Sequence, residues 1–150
     1  ADRGQTGGMR RSVRLFSAVL AVAALTPLAA CAEESSAHPP VTVTYRLIVE
    51  GSDLLQAKAV SYLTAEGPGK DSVRADMGTT PLTRVAGGAA DKGTWEVTTT
   101  VTDGQPMEVM GTPAPKNTAS CTIMVGGNVV KTATAAPGQT VLCTTDTRRR

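Results

Sequence analysis

Between Val41 and Glu50 the chain alternates with a period of two. Val41, Val43, Tyr45, Leu47 and Val49 fall on one side, and Thr42, Thr44, Arg46 and Glu50 on the other. Successive side chains of an extended strand point to opposite faces, so this spacing dictates a β-strand with one face buried. Ile48, on the polar side, predicts partial cover there as well. A strand of this kind needs partner strands, and the rest of the chain is read for them.

Gly51-Ser52-Asp53 ends the first strand, and Leu54-Leu55-Gln56 reads as a short irregular turn. A second strand is expected over Lys58 to Thr64, where Val60 and Tyr62 are strong β-formers, closed by the turn sequence Glu66-Gly67-Pro68-Gly69. Weaker strands follow over Ser72 to Met77 and Pro81 to Val85, and Gly87 to Gly93 reads as a loop. The best strand in the chain is Thr94 to Asp103, with Trp95, Val97, Thr99 and Val101 on one face and Glu96, Thr98, Thr100 and Thr102 on the other. Asp103-Gly104 turns the chain into a short strand over Pro106 to Met110. Its leading proline confines it to a sheet edge or to a strand's first residue.

After a proline-containing loop from Gly111 to Asn117, the last section reads as a meander. Cys121, Ile123 and Val125 share a face, Gly126-Gly127-Asn128 makes a hairpin turn, Val129 to Ala135 returns, and Thr140 to Thr145 closes after Pro137-Gly138. Val141 and Cys143 have the parity to face the same core as Cys121 and Ile123. No helical periodicity competes downstream of residue 40. Short strands separated by glycine and proline turns predict an all-β, antiparallel sandwich.

The first forty residues have a different character. Arg10, Arg11 and Arg14 precede an apolar run from Leu15 to Leu25, Thr26-Pro27 breaks any helix, and Leu28-Ala29-Ala30-Cys31 follows. A positive segment, an apolar segment and a small-residue cleavage site make a signal peptide. The cysteine in the last position makes the sequence a lipobox, with Cys31 as the site of lipidation and the first residue of the mature protein. An uncleaved membrane helix is one alternative, although it needs about 20 apolar residues, more than the proline-interrupted run supplies. An ordinary secretory signal is the other. All three place the domain outside the cytoplasm. The expected organisation is an upstream extension over 1–8, the signal over 9–30, lipidated Cys31 and a tether over 31–40, and the sandwich over 41–150. The tether ends in Pro39-Pro40 and holds the only histidine, His38, which reads as solvated.

An exported chain with Cys31 assigned to lipid leaves Cys121 and Cys143 as an even pair, which in an oxidising compartment favours a disulfide. Closing a loop of about 22 residues would add roughly 3 kcal/mol on the chain-entropy model. A metal pair and two free thiols are the alternatives. The formal net charge of +2 includes the signal; from Cys31 onward eleven basic residues face twelve acidic ones. That balance offers no basic surface for nucleic acid, and Arg148-Arg149-Arg150 reads as a solvated tail rather than a phospholipid contact.

Chemistry has few advocates. The domain has no histidine, no Gly-x-Ser-x-Gly or Ser-x-x-Lys nucleophile motif, and scattered carboxylates of which Asp71 with Asp76, or Glu96 with Glu108, are the candidate pairs. Met77, Met107, Met110 and Met124 offer thioethers suited to Cu(I), but methionines also fill core gaps. No calcium-loop sequence is present. The expectation is therefore no enzyme activity, no cofactor and no metal. Tyr45, Tyr62 and Trp95 are the aromatic residues of the domain. They read either as core and rim packing or as an exposed ligand or partner patch.

Several segments together resemble the soluble domain of the mycobacterial small membrane protein (MmpS) family. They are Val43-Thr44-Tyr45 leading to Gly51, Ala59-Val60-Ser61-Tyr62-Leu63-Thr64 before Gly67, and Cys121-Thr122-Ile123 with Val125-Gly126-Gly127 and a final Cys143. The resemblance runs from about Val41 to Cys143 and is most specific in the cysteine-containing section. It implies an actinobacterial source and an immunoglobulin-like sandwich anchored at the extracytoplasmic face of the cell membrane. It also implies a Cys121–Cys143 disulfide, Tyr45 and Tyr62 as strand aromatics, and an accessory role beside RND-type transporters that export lipids or siderophores. The chain departs from the family in using a lipobox where members carry a transmembrane helix, and in having Ala75 to Pro81 where members carry a Leu-Pro-Trp segment. The runner-up function is a carrier holding a lipid or other apolar ligand between the sheets, and a third is a surface module with no transport role.

Overall fold

The structure, a computed structural model, describes residues 38–54, 56–85 and 91–147. The signal over 9–30, Cys31, the tether up to residue 37, most of the glycine loop and Arg148 to Arg150 lie outside the described residues. Nine strands are described: β1 (Pro40–Glu50), β2 (Gln56–Ala65), β3 (Ser72–Pro81), β4 (Thr83–Val85), β5 (Lys92–Thr102), β6 (Pro106–Thr112), β7 (Thr118–Val125), β8 (Asn128–Ala135) and β9 (Val141–Asp146). They form two antiparallel sheets, ordered β4-β5-β1-β7-β8 and β3-β2-β6-β9, packed face to face as a β-sandwich.

The strictly alternating strand that opens the domain lies at the centre of its sheet. β1 pairs with β5 over its whole length, from Pro40↔Thr102 to Glu50↔Lys92, and with β7 on its other side. Val43, Tyr45, Leu47 and Val49 are fully buried, while Val41 at the strand's start is half-buried. They meet Val60 of β2, Met107 and Val109 of β6 and Val141 of β9 across the sandwich, and Val101, Cys121 and Ile123 complete the same core. Gly111 is the point of closest approach: a Cβ there would lie 2.7 Å from Leu47 Cδ2, so only glycine leaves room for the opposing leucine.

The topology is that of an immunoglobulin-type sandwich with one substitution. β1, β5 and β4 occupy the places of strands B, E and D, and β3, β2, β6 and β9 those of C′, C, F and G. The place beside strand B, which in that fold belongs to the chain's first strand, is taken by β7. The hairpin β7–β8 is thus inserted between the F-like and G-like strands.

This arrangement corrects the meander expected for the last section. β7 and β8 pair as a hairpin, but β9 leaves that sheet and pairs with β6 in the other. Period-two parity places Cys121 and Cys143 toward one core, as expected. It carries no information on which sheet supplies each. The disulfide between them, with Cα atoms 5.9 Å apart, therefore ties the two sheets together. A smaller difference concerns β3, whereas Pro106 stands where a strand's first residue was expected. β3 runs to Pro81 as a single strand because β2 absorbs a register shift around Ala59, whose φ of +49° is unusual for a residue with a side chain. Pro106 opens β6, a strand interior to its sheet, in the first-residue position where a missing N–H is tolerated.

Candidate interaction site

The aromatic residues meet, in a row that crosses the sandwich. The Tyr45 and Tyr62 ring centroids lie 5.7 Å apart and those of Tyr62 and Trp95 5.8 Å apart, both tilted. Edge-tilted pairs at this spacing add favourable quadrupole contacts to the burial itself. Tyr45 is fully buried, so it is not part of an exposed patch, which corrects that reading of the trio. Its hydroxyl donates to the Leu63 carbonyl on β2 at 2.8 Å, and burial pushes its phenol well above the usual tyrosine range. Tyr62 and Trp95 are half-buried against the core and form its rim.

The carboxylates named as candidate acid–base pairs are kept apart. Glu96 sits on the outer face of the first sheet, 2.6 Å from Arg46. Glu108 is on the outer face of the second, 2.5 Å from Arg74, whose Nη1 also donates to Ser61 Oγ at 3.0 Å. Asp71 accepts from Gln105 at 3.3 Å, whereas Asp76 accepts the Gly78 N–H at 2.9 Å. Met107 is in the core, Met110 lies beside Arg74, Met77 is exposed on β3 and Met124 is on β7 of the other sheet, so the four thioethers do not converge. Among the described residues no three His, Cys, Asp or Glu side chains are grouped to hold a metal ion.

The surface has a clearer pattern. The large exposed hydrophobic side chains among the described residues are Val73 and Met77 on β3, Val85 on β4, Val129 and Val130 on β8, and Leu142 on β9. All four are edge strands. Strand edges present unpaired backbone donors and acceptors, so apolar side chains there mark the places where another chain can add. Surface clefts accompany them among the described residues, and the best formed of these are lined by no residue of the apolar core. One of these, of about 470 Å³, runs between the β8 and β9 edges past Val130, Lys131, Thr144 and Asp146.

The two ends of the sandwich differ. At one end Asp103 N–H donates to the Pro39 carbonyl, Gly126 N–H to Thr42, and Gly104 N–H to the Thr147 hydroxyl, so the chain enters and leaves the sandwich there. At the other, Asn117 knots three loops. It is fully buried; its Oδ1 accepts from the N–H groups of Ser52 and Asp53 at 3.2 and 3.5 Å, and its Nδ2 donates to the Asp53 carbonyl. Its own backbone donates to Ala114 and accepts from Gly138, both at 2.9 Å. Gly51, at φ +143°, passes against this side chain, where a Cβ would lie 2.6 Å from Asn117 Cγ. Nothing local in the sequence marks Asn117, because its side-chain partners lie 64 and 65 positions away.

Comparison with protein-family models finds none that matches the chain, and comparison with curated proteins returns no significant match.

Proposed function

We propose that this chain is a lipid-tethered, extracytoplasmic accessory protein with no catalytic role of its own. Its sandwich docks on an RND-type transporter that exports lipids or siderophores, the role implied by its resemblance to the MmpS family. One observation carries the choice of docking over carrying. The space between the sheets is filled by interlocking side chains and a disulfide, while large apolar side chains are exposed on the edge strands. A container for an apolar ligand needs an interior cavity of about 300 Å³ or more, and the clefts described above open on the surface. Acylated Cys31 and a tether ending at Pro40 would hold the docking edges near the membrane, raising their effective concentration at a membrane partner. Chain entry and exit at a common end support this, since the opposite end and the lateral edges are left for contact.

The test is affinity capture from crosslinked native membranes, with mass spectrometry of both proteins and extracted small molecules. The proposal expects a large RND-type transporter and an acylated Cys31. Recovery of a bound lipid without a protein partner would favour the carrier instead.

A further inference from the structure

We infer that β8 is a self-pairing edge, through which two copies of this chain join their β4-β5-β1-β7-β8 sheets into one continuous antiparallel sheet of ten strands. The inference is independent of how Cys31 is modified and of which transporter, if any, is the partner.

The edges of the sandwich are not equivalent. Proteins guard strand edges with charges, proline, bulges or shortness. β4 is three residues long and carries Arg84. β3 carries Arg74 and Asp76, ends on Pro81 and lies against the irregular part of β2. β9 has three exposed residues and ends on a charge, Asp146. β8 has eight residues, six of them exposed, no proline, and Lys131 as its single charge. Among the described residues no strand pairs with its outer edge.

Within β8 the regular ladder is confined to one segment. Lys131 stands opposite Ile123 and Val129 opposite Met124, leaving Val130 unpaired in a bulge, so the undisturbed run is Lys131 to Ala135. Its midpoint is Ala133. In a two-fold arrangement with the axis normal to the sheet, directly opposed residues must share a face, so the axis has to pass through a residue rather than between two. Placed at Ala133, it sets Lys131 against Ala135 of the second copy, Thr132 against Thr134, and Ala133 against its own equivalent.

Each pair is compatible. The threonines fall on the outer face, where both are exposed and Thr–Thr pairs are favourable across strands; the alanines fall on the core side, where Ala133 and Ala135 are half-buried. The one charge is opposed by an alanine rather than by its own copy. An axis at Lys131 would instead stack the two lysines. The pattern of the run therefore fits a second copy of itself in the register that uses all five residues.

The test is sedimentation velocity of the full chain in density-matched detergent across a concentration series. Thr132→Lys/Thr134→Lys places lysines in direct opposition at two exposed positions, leaving the core untouched. Wild type should sediment as a concentration-dependent dimer. The double variant should lose the dimer at the same concentrations, with a urea midpoint equal to that of wild type at a dilution where wild type is monomeric. Mixing it with Thr132→Glu/Thr134→Glu should restore a dimer of one copy of each. A wild-type chain that stays monomeric throughout overturns the inference, and protection of β8 amides from exchange in that monomer would assign the edge to another segment of the chain. A dimer that survives the lysine pair, or a lysine–glutamate mixture that stays monomeric, overturns it as well.

Discussion

Cys121 on β7 and Cys143 on β9 are joined across the sandwich, and they belong to strands that never share a sheet. The bond fixes the inserted β7–β8 hairpin of one sheet to the last strand of the other. Replacing both with serine should lower stability by about 3 kcal/mol, the entropy of the loop released in the unfolded chain. Urea unfolding of wild type and the double variant measures this, and the difference should vanish when the wild type is reduced.

The Tyr45 hydroxyl contributes a second tie between the sheets, through its bond to the Leu63 carbonyl. Tyr45→Phe should cost about 1 kcal/mol, the net value of a neutral hydrogen bond. The same residue gives stability a pH dependence in the alkaline range. Its folded pKa lies above the unfolded value of about 10, so the unfolded chain binds fewer protons once pH passes that value. Stability is then fully present below about pH 10 and declines above it, by up to about 1.4 kcal/mol per pH unit. Subtracting the Tyr45→Phe profile from that of wild type isolates the decline.

Asn117 and Gly51 form one unit. Asn117→Ala removes the acceptor of the Ser52 and Asp53 N–H groups and the donor to the Asp53 carbonyl, and should cost about 1 kcal/mol, the net value of a hydrogen bond whose freed partners lie in exposed residues. Gly51→Ala should destabilise by a comparable amount, because its Cβ meets the Asn117 side chain at a positive φ. Removing that side chain removes the obstacle, so the double variant should lose less than the sum of the two. A double-mutant cycle by chemical denaturation reads the coupling directly.

Gly111 makes a prediction about packing alone. Gly111→Val should destabilise by about 1–3 kcal/mol through overpacking, because Leu47 fills the space. Trimming Leu47 to alanine in the same chain should recover part of that loss.

The strands were legible in the sequence wherever a period of two persisted. β1 and β5 follow the alternation of Val41 to Val49 and Trp95 to Val101, since each presents one face to the core and one to solvent. β3 was harder to delimit because, as an edge strand with exposed residues on both faces, it carries no such alternation. Parity predicted that Cys121 and Cys143 face a common core, but sheet membership depends on which strands pair at long range. The expected meander would put β9 beside β8, whereas it pairs with β6. The aromatic trio was divided in the same way. Sequence identified Tyr45, Tyr62 and Trp95 as a group, while only the crossing of β1, β2 and β5 decides that Tyr45 is sealed inside. Asn117 could not be found at all, because a buried amide is recognised by its partners and these come from three loops.

The most direct test of the docking role is photocrosslinking in living cells from a reactive amino acid placed at Met77, an exposed apolar position on the β3 edge. The account predicts a covalent adduct with a large RND-type transporter, absent when the same amino acid replaces Thr98 on the solvent face of the first sheet. An adduct with lipid alone, or equal labelling of the transporter from both positions, would contradict it.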